Sequence, residues 1–187
     1  MRTMKTPLMP LKMRTVTASK ITREAYRRAR PFFLQKGPAM AGKTYFSLDR
    51  FVAAQAPVYE TALSELIAGR KESHWMWFIF PQLRGLGRSS MADLFGLPSL
   101  NHARQYLAHP TLGPRLVTCT HAVNAVKGRS LNAIFGSPDD LKFRSSMTLF
   151  ALAAGKDGEV FRQALDQWCE GVMDPRTASL LEGGNNS

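Results

Sequence analysis

Ser137-Pro-Asp-Asp-Leu-Lys-Phe-Arg-Ser-Ser-Met-Thr-Leu-Phe-Ala-Leu-Ala-Ala-Gly155 carries the strongest helix signal in the chain. A serine at the cap position, a proline in the first turn and two acids beside the positive end of the helix dipole open it. Gly155 closes it, because glycine tolerates the left-handed backbone that ends many helices. Between them Leu141, Phe143, Met147, Leu149, Phe150 and Leu152 stand nearly all round the cylinder. A helix that is apolar on every side must be covered on every side, so this stretch predicts a buried central helix with others packed around it.

Outward from that helix the punctuation stays helical. Residues 48–55 and 58–68 read as two helices, the second with Tyr59, Leu63, Leu66 and Ile67 on one side and Gly69 as its stop. Ser90 opens a short helix through 97, and Ser99 caps 100–108, which ends before His109-Pro110. Residues 112–126 follow, with Leu116, Val117, Cys119 and Val123 inward, then a short turn over 131–135 after Ser130. Residues 159–170 turn Val160, Phe161, Leu165 and Trp168 toward the core, and Asp174-Pro175 opens a last helix over 176–181. No stretch alternates as a half-buried strand does, and no repeat recurs. The six apolar residues 75–80, Trp-Met-Trp-Phe-Ile-Phe, fit either a helical turn or an extended core segment. The expectation is an all-α, single compact domain of about seven or eight helices.

Composition limits the class. With 187 residues, 44% of them apolar, the chain can bury one core. Its longest apolar run, residues 75–80, is far short of the roughly 20 that span a bilayer. Two cysteines, Cys119 and Cys169, build no disulfide scaffold and lack metal-ligand spacing, so they read as small core hydrophobes in a reducing compartment. This points to a cytoplasmic protein.

The net charge of +11 suggests nucleic acid until its position is noted. Residues 1–46 hold eleven Lys or Arg against one acid, Glu24, while residues 47–187 hold fourteen against thirteen. The body is nearly neutral. The expected organisation is therefore a basic N-terminal segment over 1–46, a helical domain over 47–182 and a polar tail over 183–187. Three readings of the first segment stand side by side. It is a start assigned too early, with Met40 the natural one, or a disordered basic arm that could touch nucleic acid weakly through charge, or a targeting peptide.

Four stretches carry a resemblance: LDRFVAAQ at 48–55, AGRKESHWMWFIFPQLRGLGRSS at 68–90, YLAHPTLGPRL at 106–116 and IFGSPDDLKFRSSMTLF at 134–150. They resemble the bacterial and plant family catalogued as domain of unknown function 1810, which is similar to an all-helical mycobacterial protein of unknown role. The resemblance implies an all-α single domain over roughly residues 48–181. It implies no settled activity and brings no catalytic residues with it. Some relatives carry a calpastatin label, but that inhibitor is long, disordered and repetitive, unlike this compact body.

Three stretches are candidate sites. In the first, His74-Trp75-Met-Trp77-Phe-Ile-Phe-Pro-Gln82, Trp faces could stack on a planar group while His74 and Gln82 supply polar edges; equally, the aromatics are core and His74 sits at a helix end. In the second, Arg84-Gly-Leu-Gly-Arg88, glycines allow a backbone to approach an oxyanion and two guanidinium groups give charge-assisted bonds; equally, it is a turn with solvated arginines. In the third, Asp139, Asp140, Lys142, Arg144, Ser145 and Ser146 crowd the start of the central helix, with Asp140 and Arg144 spaced to pair; equally, they cap and pack it. His102, His109 and His121 have no ligand spacing, so neither metal nor cofactor is expected. His74 is the one candidate acid–base group, without a complete catalytic constellation around it.

The leading expectation is a small anionic or nucleotide-like ligand bound by His74, Trp75, Trp77, Gln82, Arg84, Arg88, Lys142 and Ser145. The alternative is a protein–protein interaction module that docks through the aromatic block.

Overall fold

The computed structural model describes residues 46–183. Ten α-helices follow one another there: α1 (Asp49–Gln55), α2 (Tyr59–Ile67), α3 (Met76–Ile79), α4 (Ser90–Phe95), α5 (Leu100–Ala108), α6 (Leu112–Ala125), α7 (Leu131–Phe135), α8 (Asp139–Ala154), α9 (Glu159–Cys169) and α10 (Pro175–Gly183). A 3-10 turn, Gly155–Asp157, joins α8 to α9. Among the described residues there is no strand, only an isolated parallel bridge between Leu83 and Leu97. The fold is all-α. The readings made of residues 1–45 and 184–187 lie outside the described residues.

The central helix is α8. Phe143, Met147, Leu149 and Phe150 are each fully buried on it. The Phe143 ring lies 5.1 Å from Phe80 and 5.0 Å from Phe135, while Phe150 lies 5.4 Å from Tyr106 and 5.8 Å from Phe161. Segments before and after α8 in the chain are thus sealed onto it by aromatic pairs, whose area and ring quadrupoles both favour contact. Leu141 departs from expectation and is 61% exposed, as is Ile67 on α2 at 69%. Each helix hides only the arc that a neighbour covers, and Ala62 and Leu66 hold the inner arc of α2.

The block at 75–80 resolves into both alternatives in sequence. Trp75 caps the single turn α3, and the chain then extends to the Leu83–Leu97 bridge. So short a helix leaves its last carbonyls without internal partners. The Phe78 carbonyl is satisfied by side chains from elsewhere: Gln55 Nε2 at 2.7 Å and the Tyr106 hydroxyl at 3.2 Å. That rescue allows one helical turn to survive in the core, and it explains part of the excess over seven or eight helices.

Caps partly follow expectation. Ser99 accepts from His102 N and Ser130 from Ala133 N. At α4 the cap is Ser89, which accepts from Ala92 N, and the helix stops at Gly96. At α8 the helix begins at Asp139 with Pro138 in the cap position and no side-chain cap bond, so Ser137 does not cap it. His109 ends α5, and its Nδ1 accepts from the Thr111 and Leu112 amides at 3.1 and 3.3 Å, covering the start of α6. Phe46, placed by the sequence in the basic segment, packs on this core with its ring 4.7 Å from that of His102.

Candidate functional site

At the foot of α8 two lysines share one carboxylate. Lys142 Nζ lies 2.7 Å from Asp139 Oδ1, one helical turn apart, and Lys71 Nζ lies 2.7 Å from Asp139 Oδ2. Their side chains are 23% and 10% exposed and that of Asp139 is 16% exposed. Each ammonium also lies over an indole ring: Lys71 at 5.3 Å from the Trp75 centroid, Lys142 at 4.9 Å from that of Trp77. The ring face is negative, so both positions are attractive. Burial alone would raise the Asp139 pKa, but the bonds from Lys142 and Lys71 outweigh it and hold the carboxyl below its ordinary value. The trio keeps one positive charge more than its carboxylate cancels.

Lys71 reaches this place because the loop between α2 and α3 is fastened at both ends. Its own amide donates to the Ile134 carbonyl at 2.7 Å. Just beyond it, Glu65 accepts from the Glu72 amide, the Ser73 amide and hydroxyl, and the Trp75 indole N–H, all within 3.0 Å.

Trp77 joins the trio to a concavity. The half-buried ring lines a shallow groove with Gln82, Leu83, Gly87, Ala92, Phe95 and Gly96. The space is about 220 Å³ including the open solvent at its mouth. Most of that space is open solvent, and the enclosed part has room for about one water molecule, so the groove is a surface dimple that holds no more than the tip of a ligand.

Of the residues singled out in sequence, Trp77 and Gln82 share the groove, and Lys142 meets Trp77 over its ring without lining the groove. Trp75 does not line the groove: it is 1% exposed, with its indole N–H engaged by Glu65, and belongs to the core. His74, Arg84 and Arg88 are exposed. Arg84 belongs to a different neighbourhood, beside Arg50 and His102, whose protonation its charge disfavours. The glycines between the arginines serve the chain itself. Gly85 holds φ at +93°, a region side chains resist, and a Cβ on Gly87 would stand 2.4 Å from that of Ala92.

Ser145 is committed elsewhere. Its hydroxyl lies 2.9 Å from Asp174 Oδ2 and 3.1 Å from the Leu141 carbonyl. The same Asp174 oxygen accepts from the Thr177 amide at 3.0 Å, while Thr148 Oγ1 accepts from the Asp174 amide at 2.8 Å. Arg144 completes this clamp by donating to the Val172 and Met173 carbonyls rather than pairing with Asp140. The polar run on α8 therefore docks the start of α10. Ser146 is fully buried, and its hydroxyl has no hydrogen-bond partner among the described residues.

Sequence reasoning missed the roles of Lys71 and Glu65. The spacing of Asp139 and Lys142 was a usable sign of their pairing, whereas nothing local marks Lys71 as the third member. Among the described residues no three His, Cys, Asp or Glu gather as metal ligands, and no helix is long and apolar enough to cross a membrane.

Fold and site together define an all-helical domain with a half-buried lysine–carboxylate–indole cluster at the foot of its central helix. The chain belongs to the family described as protein of unknown function (DUF1810), whose pattern matches residues 45–181. It is similar to the conserved hypothetical protein Rv1873 from Mycobacterium tuberculosis, with a crystal structure at 1.38 Å. The two are 55% identical, with a TM-score of 0.72, over 73% of this chain and 97% of that chain. No curated protein matches this chain.

Proposed function

We propose that the protein binds a small anionic, nucleotide-like ligand against Lys142 and Lys71, with Trp77 and Gln82 flanking it. The observation that carries this reading is the surplus charge. Two ammonium groups held at 2.7 Å from one carboxylate leave a half-buried site net positive. Charge withdrawn from water is costly unless it is matched, and an anion supplies the match. The indole face and the Gln82 amide offer a planar contact and hydrogen bonds to the rest of such a ligand. The aromatic block supports docking of a protein less well, because Trp75, Phe78 and Phe80 are buried. Cys119 and Cys169 are unpaired, which fits a reducing, cytoplasmic setting.

The test is titration of the full chain with pyrophosphate and with nucleoside monophosphates at constant ionic strength, read by calorimetry and by indole fluorescence. Loss of one charge-assisted bond in Lys142→Met should weaken binding roughly ten- to a hundredfold, matching about 1.5–3 kcal/mol. The reading is abandoned if the wild type binds none of these anions, or if Lys142→Met binds them equally well.

A further inference from the structure

Of the large apolar side chains that stand exposed among the described residues, Leu141, Val172, Met173 and Leu180 belong to α8, α10 and the link from α9 to α10, while Ile67 is apart on α2. The clamp at the start of α10 draws the first three together. Leu141, Arg144, Ser145 and Thr148 form one strip of α8, because residues three and four apart share a helix face. From that strip Arg144 donates to the Val172 and Met173 carbonyls at 2.9 and 3.0 Å, and the Ser145 hydroxyl bridges the Leu141 carbonyl, at 3.1 Å, and Asp174, at 2.9 Å. The backbone of the link is thus fixed, while the side chains of Leu141 and Val172 stay more than half exposed. Two charged residues bracket the link: Glu170 at the end of α9 and Arg176 in the first turn of α10. Both are exposed, and neither makes an ion pair among the described residues. Glu170 stands at φ +56°, the single non-glycine in the left-handed region among the described residues, at a helix end where glycine is the ordinary choice.

We propose that this patch is a two-fold contact with a second copy of the chain. A two-fold axis makes every contact reciprocal, so the surface on it must complement itself. The link has that property. With the axis at Met173, Glu170 and Arg176 lie three residues to either side, so Glu170 meets Arg176 of the second copy and Arg176 meets its Glu170. Val172 and Met173 fill the centre, and Leu141 lies beside them. Leu180 follows Arg176 by four residues and so shares its face of α10. Asp166 stands one turn before Glu170 and close to the link, since a Cβ on Gly171 would lie 3.2 Å from its carboxylate, so it adds to the negative charge that faces the copy's arginine. Arg144 and Asp174 do not compete for these partners, because each is engaged within its own chain. Apolar area withdrawn from water at the centre drives the contact, and the charge pairs at its rim set the register. A patch of four large apolar side chains is at the small end of the range for specific interfaces, so the association is weak and depends on concentration.

Sedimentation equilibrium of the full chain, over a concentration series that reaches the millimolar range at fixed ionic strength, reads the association. A monomer–dimer equilibrium is expected. Met173→Glu sets two carboxylates against each other on the axis and should abolish the dimer; Met173 is exposed, so the melting temperature should hold. Glu170→Arg and Arg176→Glu each turn two opposite-charge pairs into two like-charge pairs, and each alone should weaken the dimer about tenfold. The two changes together reverse both pairs and should restore the association of the wild type, which a merely adhesive surface does not do. Ile67→Asp, at the exposed apolar residue outside the patch, should leave the dimer intact. The proposal is overturned if the chain stays monomeric throughout, which would leave the patch to residues 1–45 or to a different protein. It is also overturned if Met173→Glu still dimerises, if Ile67→Asp abolishes the dimer, or if the double charge reversal fails to restore it.

Discussion

The Glu65 carboxylate accepts the indole N–H of Trp75 at 2.8 Å, across the loop that carries Lys71 to Asp139. One acid on α2 therefore orders the loop between α2 and α3, seats a core tryptophan and sets the position of a lysine at the candidate site. Its two oxygens receive four donors between them.

Replacing Glu65 by Ala should therefore unfold the loop before it touches anything else. Hydrogen bonds to a charged acceptor contribute about 1.5–3 kcal/mol, and loss of the Glu65 carboxylate should cost about that much in urea denaturation. Glu65→Gln retains one acceptor oxygen and should lose less. Equal urea midpoints for wild type and Glu65→Ala would show that the strap contributes nothing.

Acid should destabilise the protein through the same two carboxylates. Burial tends to raise the Glu65 pKa, but bonds from Ser73, the Glu72 amide and Trp75 overcome it and hold the carboxyl below its ordinary value. Asp139 is depressed likewise, below 3.8. The unfolded chain binds these protons more tightly, so stability is complete above the unfolded pKa values and falls as pH drops through the folded ones. Melting temperature should decline below about pH 4.5, and Glu65→Gln with Asp139→Asn should flatten that decline. A double variant with the wild-type acid limb would contradict the assignment.

Phe150 sits between Tyr106 and Phe161 at the centre of the core, fully buried. Phe150→Ala removes that contact area and leaves a cavity, at a cost of about 3–5 kcal/mol. A domain stable by about 5–15 kcal/mol would be left marginal or largely unfolded. Calorimetry reads this directly, and a melting temperature within a degree of wild type would refute the packing.

Asp174→Ala tests the clamp at the start of α10. The carboxylate caps Thr177 and holds Ser145, and among the described residues Thr177 is the one buried residue of that helix. Loss of such a cap costs about 0.5–2 kcal/mol. The expected sign is faster hydrogen exchange in the α10 amides with little change in α8. Uniform exchange rates in variant and wild type would mean that α10 is held by its apolar contacts alone.

Residue order by itself determined the helical elements. The apolar span of α8, the serines before α5 and α7, and Asp174 before α10 could all be read in sequence, because a cap or a stop is a backbone hydrogen bond completed within three or four residues. Two cap positions, read at Ser90 and Ser137, each lie one residue from the observed caps at Ser89 and Pro138, since neighbouring serines and prolines offer nearly equal local solutions. Only the tertiary structure decided which arc of each helix is covered, and so exposed Leu141 and Ile67. It also decided the partners of the polar side chains. Lys71 meets Asp139, Ser145 meets Asp174 and Glu65 meets Trp75 because packing brings distant segments within the 2.7–2.9 Å at which charge and hydrogen bonding act. Such contacts depend on short-range geometry between elements, which local propensity along a chain does not encode.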